Sequence, residues 1–287
     1  MPARILDGRA LASDLRHDLL ARATALRSVG VRPRLAILFV GHNDSSFAYV
    51  RNLTKTADRV GIDVFVDDVP DDATAEMVRA RLERLGEDPA VHGVLLQQPL
   101  PAHLSIREIA ESIPVHKDVD GAHPVNQGHL AFGSGTRFVP ATPAAVMLLL
   151  ERSPAWPLRG RTVAVVGRSI VVGAPVAMLL MAQDASVTVL HKESRSLQPY
   201  VSMAEVVVVA TGVPGLLRGV DFMPGATVID VGTTIVDGVL RGDVDFDSAL
   251  EVVAAITPVP GGVGPVTNVA LLRNVIESAE HRFELTP

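Results

Sequence analysis

The run Val163-Ala-Val-Val-Gly167-Arg168-Ser169-Ile-Val-Val-Gly173-Ala-Pro175 decides the fold. Residues 163–166 are β-branched or small and apolar without alternation, the pattern of a strand buried on both faces of a parallel sheet. Gly167 interrupts the run and leads into a loop. The apolar stretch from Pro175 to Met181 then reads as a helix, whose first turn tolerates proline because its N–H has no partner there. Strand, glycine loop and helix N-terminus make an anion site, since free backbone N–H groups and the helix dipole face one space. The run departs from the common dinucleotide pattern G-x-G-x-x-G: Ser169 stands at the second glycine and Gly173 comes one residue late. Short apolar strands at 186–190, 206–210 and 226–231 strengthen the reading. They complete a mononucleotide-binding pattern with a ligand at the sheet's carboxyl edge.

Working outward, Val236-Asp237-Gly238-Val239 reads as a hairpin turning at Asp-Gly. Residues 252–256 close the sheet, and 266–282 form a last helix expected to return to the first domain. Toward the N-terminus, Leu11, Leu15 and Leu19 recur every fourth residue, so 8–28 is a helix with one buried stripe. The next strand covers 34–40. Ser45 and Ser46 are candidate N-caps of a helix reaching Val60. A strand at 62–66 leads to a helix capped by Asp72 or Thr74, and a strand at 91–97 stops at Gln97-Gln98-Pro99. After a short helix at 104–112, residues 113–142 are rich in Gly, Pro and His and read as a functional loop. Thr142 and Pro143 start a bridging helix. The expectation is an α/β protein of two domains: residues 1–141 plus 268–287, and a Rossmann-like domain, 142–267, with a parallel sheet.

Composition narrows the function. At 287 residues and 48% hydrophobic content the chain can bury two cores. A net charge of −6 without a basic cluster argues against nucleic acid as partner. There is no cysteine, which excludes disulfides, a thiolate nucleophile and Cys-ligated metal, and fits a cytoplasmic enzyme. The N-terminus carries charges where a signal peptide needs an apolar core, and no apolar run is long enough to span a membrane. The alternation Asp243-Val-Asp245-Phe-Asp247 is not a calcium loop, because Ser248 replaces the required glycine and Ala254 the closing glutamate. His103, His116, His123 and His129 lack zinc-site spacing. No metal is expected.

Four loops carry candidate chemistry. Ser46 and Tyr49 lie three apart on a helix and share a face. Gln97 ends a strand. In Lys117-Asp118-Val119-Asp120-Gly121 two carboxylates stand before a glycine, one a candidate to face a ligand and the other the scaffold. The run Thr257-Pro-Val-Pro260-Gly261-Gly262-Val-Gly-Pro265 is a stiff loop of exposed amides, suited to pressing flat on a planar ligand. At the dinucleotide edge an NAD site usually has Asp or Glu at the end of the second strand. That strand ends here in Leu190-His191-Lys192, and with Arg168 and Ser169 the charge suits a 2′-phosphate: NADP in preference to NAD.

Together these stretches resemble the methylenetetrahydrofolate dehydrogenase/cyclohydrolase family over nearly the whole chain. The matches are Ser46-x-x-Tyr49-Val50, Gln97-x-Pro99-Leu100-Pro101, Lys117 to Gly121, Gly167-Arg168-Ser169-x-x-Val172-Gly173-x-Pro175, Gly242-Asp243-Val244-Asp245 and Thr257 to Pro265. The resemblance implies a folate-binding domain, a Rossmann domain, a cleft between them and a homodimer. It implies that Tyr49 stacks on the aminobenzoate of the folate, Asp120 holds the pterin and Gln97 assists catalysis. It further implies that Ser46, Pro260, Gly261 and Gly262 meet the substrate, a tetrahydrofolate. Gly167, Arg168, Ser169, Gly173, His191, Lys192 and Thr233 would meet the cofactor. The implied reaction is oxidation of 5,10-methylenetetrahydrofolate to the methenyl form with NADP. The family's cyclohydrolase lysine, four residues after the tyrosine, is Leu53 here. Lys55 does not replace it, lying about 240° around the helix from Tyr49 against about 40° for position 53. Two alternatives stand beside the dehydrogenase: a folate- or dinucleotide-binding protein with reduced catalysis, and a fully bifunctional enzyme using another base such as His42 or Lys55. A Rossmann dehydrogenase for an unrelated small substrate has fold-level support only.

Overall fold

The computed structural model describes residues 3–41, 44–133 and 138–284. They form two compact units: residues 13–141 with 268–287, and residues 1–12 with 142–267. The chain enters through β1 (Arg4–Ile5) and α1 (Gly8–Ser28), then builds β2 (Arg34–Val40), α2 (Asp44–Val60), β3 (Asp63–Val69), α3 (Ala75–Glu87) and β4 (Gly93–Leu96). Two short helices come next, α4 (Ile106–Ile109) and α5 (Pro124–Phe132), and then the longer α6 (Ala141–Glu151).

In the first unit β2 lies between β3 and β4, all parallel. Leu35 to Leu38 are fully buried, as a central strand covered on both faces requires. Thr74 caps α3 by accepting from the Met77 N–H at 3.3 Å, and Val78, Leu82 and Leu85 face the sheet. Each such side chain contributes roughly 1.5–3 kcal/mol by leaving water. Two expectations need correction. β3 extends to Val69 through Asp67 and Asp68, because Arg81 and Arg84 of α3 pair with the buried Asp67 at 3.3 and 3.2 Å. The stretch read as a loop contains α5, whose start is capped by His123 Nδ1 accepting from the Val125 N–H. Its nine residues include Gly128 and show no apolar stripe, so periodicity could not find it.

The second unit continues with β5 (Thr162–Val166), α7 (Gly173–Met181), β6 (Ser186–Leu190), α8 (Gln198–Val201), β7 (Val206–Val209) and β8 (Thr227–Asp230). The hairpin β9 (Thr234–Val236) and β10 (Val239–Arg241), α9 (Phe246–Leu250), β11 (Ala255–Ile256) and α10 (Val263–Glu284) complete it. The strand order is β6-β5-β7-β8-β11-β1, with parallel pairing throughout. That doubly wound order reverses between β5 and β7, and the reversal opens a crevice at the carboxyl ends of these strands. Val206 to Val209 are fully buried. β1 joins this sheet through Arg4 and Ile5 beside Ala255 and Ile256, so residues 1–12 belong to this unit and not with residues 13–141. Two residues carry no periodicity, and only the pairing partner fixes their place. The hairpin turns at Asp237 and Gly238, both at positive φ, the geometry that Asp-Gly favours. Asp245, in the alternating acidic run, caps α9.

α10 begins in the second unit and continues in the first. There Asn274 donates to the carbonyls of Val119 and Val139 at 2.8 and 2.9 Å. Ser278 donates to those of His92 and His116. These bonds fix the backbone on both sides of Asp120. No helix among the described residues is long and apolar enough to cross a membrane.

Candidate functional site

The three-stranded sheet gathers one set of residues at its carboxyl edge. Ser46 and Tyr49 sit in the first turns of α2. Ser46 does not cap the helix, which starts at Asp44; its hydroxyl donates to the Gln98 carbonyl at 3.2 Å, fixing α2 to the end of β4. The Ser45 side chain and His42 lie outside the described residues. Gln97 leaves β4 with its N–H on the Leu38 carbonyl and its Nε2 donating to the Gln98 carbonyl. Its Oε1 is buried and unpaired, as is Gln98 Nε2. Buried polar atoms without partners are rare and mark places where a ligand or water completes the bonding.

The Lys-Asp-Val-Asp-Gly run divides its labour through local turns and not by strand alternation, which would put both carboxylates on one face: the Val119 N–H donates to the Lys117 carbonyl and the Gly121 N–H to that of Asp118. Buried Lys117 donates from Nζ to the Gly86 and Asp88 carbonyls at 2.6 and 2.8 Å, closing the C-terminal end of α3. Asp118 is fully buried and accepts from the N–H groups of Ala122 and His123 and from Asn126 Nδ2, at 2.7–3.0 Å. Asp120 has one long bond, accepting from the Ala141 N–H at 3.4 Å. Burial, with the charge of Asp118 behind it, pushes its carboxyl up to about 7. Burial, and then the nearby Asp120 charge, also raises the Tyr49 phenol, which therefore stays protonated. A tyrosine, a barely bonded carboxyl and an unpaired amide oxygen thus share this edge. On the same helix Leu53 is fully buried, and Lys55 is exposed.

The six-stranded sheet presents backbone instead. Gly167 ends β5 at φ +122, and a Cβ there would collide with the carbonyl of Ala210 at the end of β7. Gly173 approaches the Gly167 carbonyl as closely. Only glycine fits either place, so the loop lies flat across the crevice between β5 and β7. Ser169 Oγ accepts from the N–H groups of Val172 and Gly173, holding the N-terminus of α7. The N–H groups of residues 168–171 have no partner among the described residues. Arg168 and Ser169 are exposed. At the end of β6, His191 Nδ1 accepts from the Glu193 N–H, and the exposed Lys192 lies 3.9 Å from Glu193. Thr233 is exposed beyond β8. Free amides, a helix N-terminus and cationic side chains form a cradle for phosphates.

The loop after β11 departs from the expectation of exposed amides. Gly261 and Gly262 are buried, the Gly8 N–H donates to the Gly261 carbonyl at 3.0 Å, and Gly262 leaves no room for a Cβ at Gly8. These glycines let α1 begin against the loop, while Pro260 remains exposed.

Two residues were given no role by the sequence reading, although Asp243 stands in one of the quoted matches. Asp230, at the end of β8, accepts from the N–H groups of Gly232, Asp243 and Val244 at 2.9–3.0 Å. Burial pushes its carboxyl up to about 6 against those bonds. Asp243 Oδ2 accepts from Thr211 N–H, Thr211 Oγ1 and Gly212 N–H at 2.6–3.0 Å. A buried Asp beside glycine was the available signal, in the pairs Asp230-Val-Gly232 and Gly242-Asp243, but its partners are distant in sequence. Among the described residues no group of three or more His, Asp or Glu is placed to hold a metal ion.

Comparison with known proteins fits this division. The catalytic-domain model of tetrahydrofolate dehydrogenase/cyclohydrolase matches residues 6–120, and its NAD(P)-binding-domain model matches residues 140–283. The chain is 47% identical to the bifunctional protein FolD of Bordetella petrii over 97% of this chain and 94% of that one. It is 46% identical to that of Polynucleobacter asymbioticus, covering 98% of each. Among solved structures, the bifunctional FolD of Campylobacter jejuni superposes with a TM-score of 0.94 at 38% identity, covering 98% of this chain and 99% of that one. The Trypanosoma brucei methylenetetrahydrofolate dehydrogenase-cyclohydrolase, solved with NADP cofactor and an inhibitor, gives 0.93 at 38% identity, covering 99% of each. Two domain models that together span most of the chain, and relatives matched along nearly their whole length, place it: the chain belongs to the tetrahydrofolate dehydrogenase/cyclohydrolase family.

Proposed function

We propose that the chain oxidises 5,10-methylenetetrahydrofolate to 5,10-methenyltetrahydrofolate, with NADP as hydride acceptor. The observation that carries this reading is the edge of the three-stranded sheet, where Tyr49, Asp120 and the unpaired Gln97 Oε1 offer a ring face, a carboxyl and an acceptor to one ligand. Tyr49 stacks on the aminobenzoate, Asp120 accepts from pterin N–H groups and Ser46 holds the rim. Gln97 orients the reacting end of the folate, and Pro260 with Gly261 and Gly262 forms a substrate loop. Residues 13–141 with 268–287 make the folate-binding domain, and 142–267, joined by the first twelve residues, the dinucleotide domain.

NADP, when bound, supplies the hydride acceptor. The chain's part is alignment. The free amides of 168–171 and the N-terminus of α7 hold phosphates. Arg168, Ser169, His191 and Lys192 face the 2′-phosphate, and Thr233 meets the cofactor further along the edge. Gly167 and Gly173 keep that cradle shallow. Hydride transfer needs little acid–base help.

The hydrolytic step is different. It needs a group that moves protons near the methenyl bridge, and Leu53, fully buried, has none. The partnerless Oε1 of Gln97 agrees with the loss of a lysine donor on this helix. The chain is therefore a dehydrogenase with weak cyclohydrolase activity. An assay following reduced nicotinamide and the methenyl chromophore together tests this. The expected result is methenyl product accumulating in step with NADPH; no NADPH formation refutes the dehydrogenase, and methenyl product cleared as fast as it forms refutes the role given to Leu53.

The protein works as a homodimer in the cytoplasm. β3 is an edge strand with Phe65 and Val66 exposed, a surface that pairing with a second copy covers. Sedimentation at working concentration distinguishes dimer from monomer. The cytoplasmic assignment rests on a cysteine-free chain suited to a reducing compartment.

A further inference from the structure

We infer that Asp243, fixed in place by Asp230, is a positioning residue for the dinucleotide, acting through the loop at residues 210–213. The inference rests on the proposed NADP-dependent function and gives a task to Asp243, which the sequence reading left without one.

The chain of contacts is continuous. Asp230 ends β8 and accepts from the backbone N–H groups of Asp243 and Val244, so it fixes a segment thirteen residues away to the sheet's carboxyl edge. Asp243 is thereby held with its Oδ2 under the loop that leaves β7, gathering the Thr211 and Gly212 donors. Thr211 Oγ1 in turn accepts from the Val213 N–H, and the Gly212 carbonyl accepts from Thr234 Oγ1. Ala210, the first residue of this loop, has its carbonyl against Gly167. Displacing loop 210–213 therefore displaces the floor of the phosphate cradle at the point where the strand order reverses.

The arrangement is specific in two ways. Asp243 Oδ1 is buried without a partner, while Oδ2 carries all three bonds. Leaving one carboxylate oxygen unsatisfied costs free energy, and here the other oxygen's bonds go wholly to the loop. Gly232 and Gly242 also have no room for a Cβ, because the carboxylates of Asp243 and Asp230 respectively occupy that space. Both acids are thus enclosed by glycines on each other's segments. The result also separates two tasks. The N–H groups of 211, 212 and 213 are all taken internally, so this loop shapes the crevice while the phosphate contacts fall to the cradle around 168–171.

The test compares Asp243→Ala, Asp243→Asn and Thr211→Val with Val253→Ala, a core truncation in the same unit. NADPH affinity is read from nicotinamide fluorescence, thermal stability by calorimetry, and kcat and both KM values from the coupled assay. Asp243→Ala should weaken NADPH about tenfold or more, and Thr211→Val, which removes one donor, about threefold. Asp243→Asn, which keeps an oxygen at the loop, should fall between the unaltered protein and the alanine variant. For all three the KM for folate should hold and kcat at saturating NADP should stay within about threefold. Val253→Ala should lower the melting temperature and leave NADPH affinity within about twofold. If Asp243→Ala does not fold, Thr211→Val and Asp243→Asn decide. The inference fails if the Asp243 and Thr211 variants bind NADPH like the unaltered protein. It fails too if Val253→Ala weakens NADPH in proportion to its stability loss. Failure of the unaltered protein to bind NADPH overturns the proposed function itself and this inference with it, a result visible before any variant is made.

Discussion

The two sheets carry their candidate sites at the same kind of edge and equip them in opposite ways. At the three-stranded sheet the candidate groups are side chains left short of partners: the Asp120 carboxyl with one long bond, the unpaired Gln97 Oε1, and Tyr49. At the six-stranded sheet the acids hold the scaffold, Asp230 through backbone N–H groups and Asp243 through one oxygen that takes three donors, and the open groups are the amides of 168–171. Chemistry accounts for the contrast. A pterin and an aminobenzoate have distinct edges and faces that need individually placed side chains. A pyrophosphate has many equivalent oxygens, which a row of amides serves well. Side-chain recognition makes the first edge sensitive to single substitutions and to pH. Backbone recognition makes the second sensitive to anything that changes the path of the chain.

The largest expected effect separates the two activities. Leu53→Lys should raise hydrolysis of methenyltetrahydrofolate by roughly 10²–10⁴ if a proton-moving group is all that is missing. Decay of the methenyl absorbance in a buffer with slow background hydrolysis measures it. The ammonium enters a fully buried position, so the variant should also melt at a lower temperature. An unchanged decay rate in a folded variant would show that more than the lysine has been lost.

Next comes the backbone edge. Gly167→Ala forces a Cβ against the Ala210 carbonyl at a φ that L residues rarely adopt. A strain of about 1–3 kcal/mol at the loop predicts NADPH binding weaker by roughly tenfold to a hundredfold. Folate protection against heat should persist, since the proposed contacts Tyr49, Gln97 and Asp120 lie in the other unit. Equal loss of both ligands would erase the contrast between the two edges.

Asp120 sharpens it from the other side. Asp120→Asn removes a charge-assisted acceptor and should raise the folate KM about tenfold or more. The carboxyl is held up to about 7 by burial and by Asp118, so it is largely neutral at pH 6 and ionised at pH 8. The ionised form accepts from the pterin, so the folate KM of the unaltered protein should fall as pH rises through 7. Asp120→Asn should remove that dependence. Stability runs the other way: between roughly pH 4 and 7 the folded chain keeps a proton that the unfolded chain has lost, so this group's contribution declines as pH rises. A melting curve that falls less across that window in Asp120→Asn is the check. A folate KM with the same pH dependence in both proteins would remove Asp120 from the site.

The smallest effect concerns cofactor choice. Arg168→Ala should cut the ratio of kcat/KM for NADP over NAD by about threefold to tenfold, as expected for one exposed cation near a phosphate. Rising ionic strength should erode the same ratio in the unaltered protein. A preference for NAD that ignores Arg168 would overturn the assignment.

The sequence by itself determined the elements with strong local signals. The unbroken apolar runs at 35–38 and 206–209 announce strands buried on both faces, and the Gly167 to Pro175 run announces a strand-to-helix phosphate loop. Leu53 is legible only beside the family pattern, which puts a lysine four residues after the tyrosine; the fixed rotation of a helix then excludes Lys55 as its replacement. Tertiary structure alone decided what depends on distant partners. β1 is a strand only because Ala255 and Ile256 lie beside it. Asp67 stays in β3 because α3 brings two arginines, and Gly261 and Gly262 are buried because α1 starts against them. Among four acids, Asp118, Asp230 and Asp243 became scaffold while Asp120 was left open. All four are aspartates near strand ends or glycines. Their fates diverge because the backbone N–H groups that satisfy a carboxylate come from wherever the fold delivers them, and no local pattern records that delivery.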